Sequence, residues 1–127
     1  MARQTFSKKE HLVSLPDINA LFAQKSGMIH AYPLRLIYKV IDSDNPVPAL
    51  VLISVSKRHF KHATDRNRAK RQIREAYRLQ KSILWDALVA KGKKIHLALL
   101  WLSDSPVSSK KVAISVQDLL KTLAGKL

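Results

Sequence analysis

Hydrophobic positions along this chain recur with two different periods, and the switches between them mark the elements. Ile18, Leu21 and Phe22 share one face of a short helix opened by Ser14-Leu15-Pro16-Asp17, with Ser14 as N-cap and Asp17 at the third helical position. Gly27 suits the C-terminal turn of that helix. Over residues 30–41 the period becomes two: Leu34, Leu36, Tyr38 and Val40 point one way, Arg35, Ile37, Lys39 and Ile41 the other. Asp42-Ser43-Asp44-Asn45-Pro46 is a turn by its composition, and residues 49–56, rich in Val and Ile, form a second strand. Together they predict an antiparallel hairpin with a loop of about five residues. A long helix capped by Thr64 or Asp65 then runs toward Lys91 and ends at Gly92. Residues 95–102 are a nearly continuous apolar run of strand length, the pattern of a strand buried on both faces. Ser105-Pro106-Val107-Ser108 starts a last helix, with Val112, Val116, Leu119, Leu120 and Leu123 at helical spacing. Residues 1–13 read as an extended basic arm, and no repeat, linker or low-complexity tract is present. The order α-β-β-α-β-α predicts a single α+β domain over residues 1–127, a sandwich of one mixed sheet and covering helices.

Composition narrows the partners. A hydrophobic fraction of 46% excludes general disorder, and no apolar run approaches the roughly 18 residues of a membrane span. The net charge of +14 and pI near 10.4 call for a polyanion: RNA, DNA or, less fittingly, an anionic membrane surface. The chain has no cysteine, hence no disulfide or thiolate metal site, and its first residues lack the apolar stretch of a secretory signal. Both features predict a cytoplasmic protein.

The charge is concentrated. Between positions 57 and 81 ten lysines and arginines face two acids. At about 100° per residue, Ala69, Ile73, Ala76, Tyr77, Ile83, Leu84 and Ala87 form an apolar stripe. Arg66, Asn67, Lys70, Arg71, Arg74, Arg78 and Lys81 fill the adjoining arc of roughly 140°. Arg66, Asn67 and Arg68 also lie in the first turn, where free backbone N–H groups and the helix dipole attract phosphate. A merely solvated charged face mixes signs, whereas Glu75 is the only acid between Arg66 and Lys81. Like charges at i,i+4 cost a few tenths of a kcal/mol each, which a bound polyanion offsets. A membrane-surface helix is disfavoured because the stripe is needed to cover the sheet. DNA reading is disfavoured because an arc of Arg and Lys has few short side chains for base edges. A structural RNA-binding protein of the ribosomal type remains compatible with this charge and size.

Ser54-Val55-Ser56-Lys57-Arg58, a short basic connection, and Arg66-Asn67-Arg68-Ala69-Lys70-Arg71-Gln72-Ile73-Arg74-Glu75-Ala76-Tyr77-Arg78 resemble the signature of the bacterial ribonuclease P protein subunit. The resemblance covers nearly the whole chain in length and element order. It implies a ribosomal-protein-like fold with a left-handed β-α-β crossover, where general chain physics favours the right hand in about 98% of cases. It implies a partner to a catalytic RNA that removes the 5′ leader of precursor tRNA, with magnesium used by the holoenzyme and held on the RNA. By the same resemblance Arg66, Asn67, Arg68, Lys70, Arg71 and Arg74 contact the RNA subunit, and Phe22, Tyr38, Lys57 and Arg58 line a cleft for the leader. Tyr38 and Phe22 are also compatible with core packing. The chain departs from the family's common form at Ile18, where a second Phe is frequent, and in the connection 59–65, which is one residue longer and lacks a glycine.

No catalytic residue or protein metal site is assigned. The nine acids are scattered, and the close pair Asp42 and Asp44 belongs to a turn. His59 and His62 have ligand-like spacing without a second pair and extend the basic surface. His96, inside the apolar strand, is a satisfied core or edge residue, and Trp85 and Trp101 cover the core or sheet. Such a protein should not cut RNA alone.

Overall fold

A computed structural model describes residues 6–127 of the protein. Strand β4 (Lys94–Trp101), the run apolar on both faces, lies inside the sheet. It pairs antiparallel with β2 (Leu34–Ile41) and parallel with β3 (Ala49–Ser54), while β1 (Gly27–Ala31) flanks β2, giving the order β1-β2-β4-β3. The four helices are α1 (Leu15–Ala23), α2 (Ala63–Gln80), α3 (Ser82–Lys91) and α4 (Ser109–Lys126). The mixed α+β sheet is as expected, but two of its details are not. β2 and β3 do not form a hairpin; each pairs with β4 instead. A strand apolar on both faces needs neighbours on both edges as well as cover above and below, and only the central position supplies them. The turn chemistry is nonetheless real, with Ser43 Oγ accepting from the Asn45 N–H at 3.1 Å and Asn45 Oδ1 from the Val47 N–H at 2.9 Å.

The second difference is β1. The alternation over residues 30–41 is broken by a turn at Tyr32-Pro33, and β1 folds back on β2 with Ala31 opposite Leu34. Gly27 consequently opens a strand rather than closing α1, whose C-cap is Gln24. Gly27 sits across from Tyr38, and a Cβ there would come within 2.8 Å of the Tyr38 ring. Ser14 is the N-cap of α1, as the sequence predicts, though its side chain makes no capping bond.

One face of the sheet carries the main core. Leu34, Leu36 and Tyr38 of β2 and Ile95, Leu97, Leu99 and Trp101 of β4 pack against Ile73 and Tyr77 of α2, Leu84 and Leu88 of α3, and the predicted α4 stripe from Val112 to Leu123. Each fully buried Leu or Ile contributes about 1.5–3 kcal/mol. The opposite face is more sparsely covered: Ile37 and Ala98 are buried with Leu21 of α1 and Leu12, and Ile18, Leu50, Leu52 and Leu100 pack around them only partly buried. Ser108 caps α4 by accepting from the Lys111 N–H at 3.2 Å, and Gly92, at φ 63°, closes α3.

The N-cap of the basic helix lies two residues before the first of its expected caps. His62 is the N-cap of α2, and Thr64 and Asp65 lie inside its first turn. The helix also divides at Lys81, which the arc assignment left exposed. Lys81 is instead buried and donates to Glu10 Oε1 at 2.7 Å, with its ammonium 4.4 Å from the Trp85 ring centroid. The cause is Glu10, an acid 71 positions away and itself 4% exposed, which needs a charged partner. Part of the supposed N-terminal arm is therefore structural. Lys8–Glu10 form a 3-10 turn, the Ser7 N–H and hydroxyl donate to Glu10 Oε2 at 2.9 and 3.1 Å, and His11 bridges Val51. Phe6 stacks on His11 and tilts onto Tyr77, whose phenol burial pushes well above its ordinary pKa. Residues 1–5 of the predicted arm lie outside the described residues. Glu10→Ala should cost about 3–5 kcal/mol in urea denaturation by stranding the Lys81 ammonium, and Glu10→Leu with Lys81→Met should recover most of it; equal losses in both variants would show that the cost does not come from the stranded ammonium.

Candidate nucleic-acid interface

Helix α2 separates its two jobs by periodicity. Ala69, Gln72, Ile73, Ala76 and Tyr77 are buried, whereas Asn67, Arg68, Arg71 and Arg74 are exposed and Lys70 is half-buried. Ile83 and Ala87, placed on the stripe by the sequence, are only partly buried, and Leu88 fills the core position of α3 instead. Arg78 donates to Glu75, which holds that carboxyl below its ordinary range and raises the guanidinium. The other exposed arginines of the arc have no carboxylate partner among the described residues. The N-cap His62 makes no side-chain capping bond, so the first-turn N–H groups add their partial positive charge to the same end.

Arg66 differs from its neighbours. Its Nη1 donates to the carbonyls of Phe60 and Lys61 at 2.9 and 3.0 Å, so this guanidinium braces the connection into the helix. The connection is pinned elsewhere too. Phe60 is buried against Trp101 at 5.9 Å between ring centroids, and His59 Nδ1 meets Asp104 Oδ1 at 2.7 Å. Within it Lys57 and Arg58 are exposed on a turn whose backbone is held by Ser56: the Arg58 N–H donates to Ser56 Oγ at 3.1 Å and the His59 N–H to its carbonyl at 3.1 Å. Lys57, Arg58 and the start of α2 are thus one rigid cationic assembly.

The sparsely covered sheet face supplies the second surface. Beyond α1 it leaves Arg35, Lys39, Leu52 and Leu100 half-exposed, and Arg35 Nε donates to His30 Nε2 at 2.8 Å. Phe22, on α1, is 43% exposed, as a residue of that surface must be. Tyr38 is not there. It is 9% exposed within the main core, on the face away from α1, so it does not line the surface it was assigned to. The physical reason is the strand period: Tyr38 alternates with Ile37 and Lys39 and shares its side with Leu34 and Leu36. Arg35 and Lys39 are the side chains missed for this surface, and that same alternation had already set them opposite Tyr38.

Where this face meets the 42–45 turn, Asp17, Lys39, Asp42, Leu50 and His96 line a depression of about 450 Å³. Burial pushes the His96 imidazole below its ordinary value of 6.5, partly opposed by Asp17 and reinforced by Lys39. Among the described residues no group of three or more His, Cys, Asp or Glu is placed to hold a metal ion, and no helix is long and apolar enough to cross a membrane.

This architecture is shared with solved proteins of one kind. The ribonuclease P protein of Thermotoga maritima superimposes with a TM-score of 0.69 over 89% of this chain and 96% of its own, at 19% identity. That of Staphylococcus aureus gives 0.66 over 90% and 94%, at 18% identity. Sequence carries the likeness further. The family described as Ribonuclease P matches residues 6–99. The ribonuclease P protein component of Porphyromonas gingivalis is 34% identical over 121 residues, 95% of this chain and 88% of that relative. The Chlorobaculum tepidum component is 35% identical over 115 residues, 84% of this chain and 74% of the relative. The chain belongs to the ribonuclease P protein family.

Two outcomes follow from the placement of these side chains. Tyr38→Ala should lower stability by about 3–5 kcal/mol, the scale of removing a buried ring, whereas Phe22→Ala should cost under about 1 kcal/mol in the same denaturation series; the reverse order would exchange their locations. His96 binds protons less readily in the folded chain than in the unfolded one. Its contribution to stability should therefore be full above pH 6.5, fall as pH drops through 6.5, and level off below the depressed folded value. Melting temperatures of the protein and of His96→Gln across that range test this, the variant being expected to lose the decline.

Proposed function

We propose that the protein is the RNA-binding subunit of ribonuclease P, assisting removal of the 5′ leader from precursor tRNA. The observation that carries this is the outer arc of α2, where Asn67, Arg68, Arg71 and Arg74 stand exposed along the second to fourth turns, with Lys70 partly so. That surface attracts a phosphate backbone and suits the RNA subunit, with Arg66 setting the approach loop as well as lending its charge. The open sheet face beyond α1, with Phe22, Arg35 and Lys39, leads a single-stranded leader toward Lys57 and Arg58; cations tracking a backbone and an exposed ring for stacking are what unpaired RNA needs. Catalysis belongs to the RNA, which also holds the magnesium. The protein's part is to neutralise phosphate repulsion and fix the substrate, in the cytoplasm.

Reconstitution tests the proposal. Protein alone should leave precursor tRNA intact, yet raise cleavage by a bacterial ribonuclease P RNA, most at low magnesium. If the arc neutralises about five phosphates, it should contribute roughly −3.5 to −4.5 to the slope of log K for the RNA subunit against log salt. Arg68→Ala and Arg74→Ala should each weaken assembly by about 1–3 kcal/mol without changing the melting temperature. A slope near −1, or nuclease-resistant cleavage by RNA-free protein, would overturn it.

A further inference from the structure

The turn between β1 and β2 presents Tyr32 in an unusual state, exposed yet fixed. The residue is 60% exposed, while its hydroxyl donates to Ser103 Oγ at 3.1 Å. Ser103 is buried and is itself held by Ser105, donating to its carbonyl at 2.8 Å and accepting from its N–H at 3.1 Å. The tip of the ring is anchored and its flat surface is left outside. Lys111 stands over the ring, its ammonium 5.2 Å from the centroid, and Lys110 beside it is exposed. The neighbouring acid, Asp104, is occupied by His59. A pinned aromatic ring with an ammonium over one face and a second lysine beside it suits a flat base, stacked on the other face, and its phosphates, and binding it requires little ordering of the protein.

The position of this corner decides which RNA it faces. Gln72 lies one turn beyond Arg68 and next to Arg71, and its Nε2 donates to the Val107 carbonyl at 2.8 Å and to Ser109 Oγ at 3.1 Å. The start of α4, with Lys110 and Lys111, is thereby docked on the cationic half of α2. Both helices cover the same face of the sheet, the one away from α1. We propose that Tyr32, Lys110 and Lys111 form a second contact with the RNA subunit, in which an unpaired base stacks on the Tyr32 ring and the two ammonium groups hold the adjoining phosphates. This inference rests on the assignment of α2 to the RNA subunit and extends that interface around the edge of the sheet.

The test is binding of full-length variants to a bacterial ribonuclease P RNA, with the Arg68→Ala protein in parallel. Tyr32→Ala should weaken binding about 5- to 150-fold, the scale of one stacked base, whereas Tyr32→Phe, which keeps the ring and loses only the bond to Ser103, should stay within about threefold. Lys110→Ala with Lys111→Ala should flatten the salt slope by about 1.4–1.8, as expected for two phosphates. Chemical probing should reveal a nucleotide protected by the unaltered protein and by Arg68→Ala at saturation, but exposed with Tyr32→Ala. Unchanged affinity for Tyr32→Ala beside a weakened Arg68→Ala would overturn this contact and leave the α2 assignment standing. Unaltered binding by all the variants would remove both. Equal losses for Tyr32→Ala and Tyr32→Phe with a lowered melting temperature would reduce the ring to a brace for Ser103. A loss confined to leader-bearing precursor tRNA in the assembled enzyme would give the ring to the leader, also against the proposal.

Discussion

The apolar character of β4 on both of its faces is the constraint from which the rest follows. Such a strand is stable only with a neighbour at each edge and a hydrophobic layer on each side, so β2 and β3 are drawn apart to flank it. Because β3 and β4 are parallel and adjacent, the chain between them has to cross the sheet, and α2 and α3 are that crossing. The requirement to cover β4 thus sets where α2 lies and which of its sides is outward. The cationic surface is a by-product of core packing in position, though not in composition.

Periodicity carried much of this into the sequence. The α4 stripe and β4 appear where their patterns put them, because both are decided by local spacing and full burial. What local spacing does not encode is partnership. The strands on either side of the 42–48 connection look like a hairpin, since their true partner lies some fifty residues further on. The alternation from β1 into β2 conceals a reversal of the chain at Tyr32-Pro33, which leaves the apolar pattern almost unbroken. Lys81 looks like one more cation of the arc until Glu10, far away in sequence, draws it inward.

The site shows the same division. The exposed arc from Asn67 to Arg74 was legible because a helix with a buried stripe leaves no choice about its remaining sides. Tyr38 was drawn toward the leader surface by resemblance, against an alternation that set it with Leu34 and Leu36 and set Arg35 and Lys39 opposite. The alternation was the better guide, since a strand residue cannot change sides without a shift of register that would turn out its whole apolar set. Arg66 belongs to the motif in sequence, but its hydrogen bonds give it a second task that only the folded connection reveals.

That second task has a mechanical consequence. With Arg66 gripping the carbonyls of Phe60 and Lys61, and Phe60 seated against Trp101, the turn bearing Lys57 and Arg58 is tied both to α2 and to the core. The two groups of cations are the jaws of a fixed caliper rather than of a clamp. A nucleic acid touching both must match a span set by the protein, and one whose phosphates are spaced otherwise has to bend to be held.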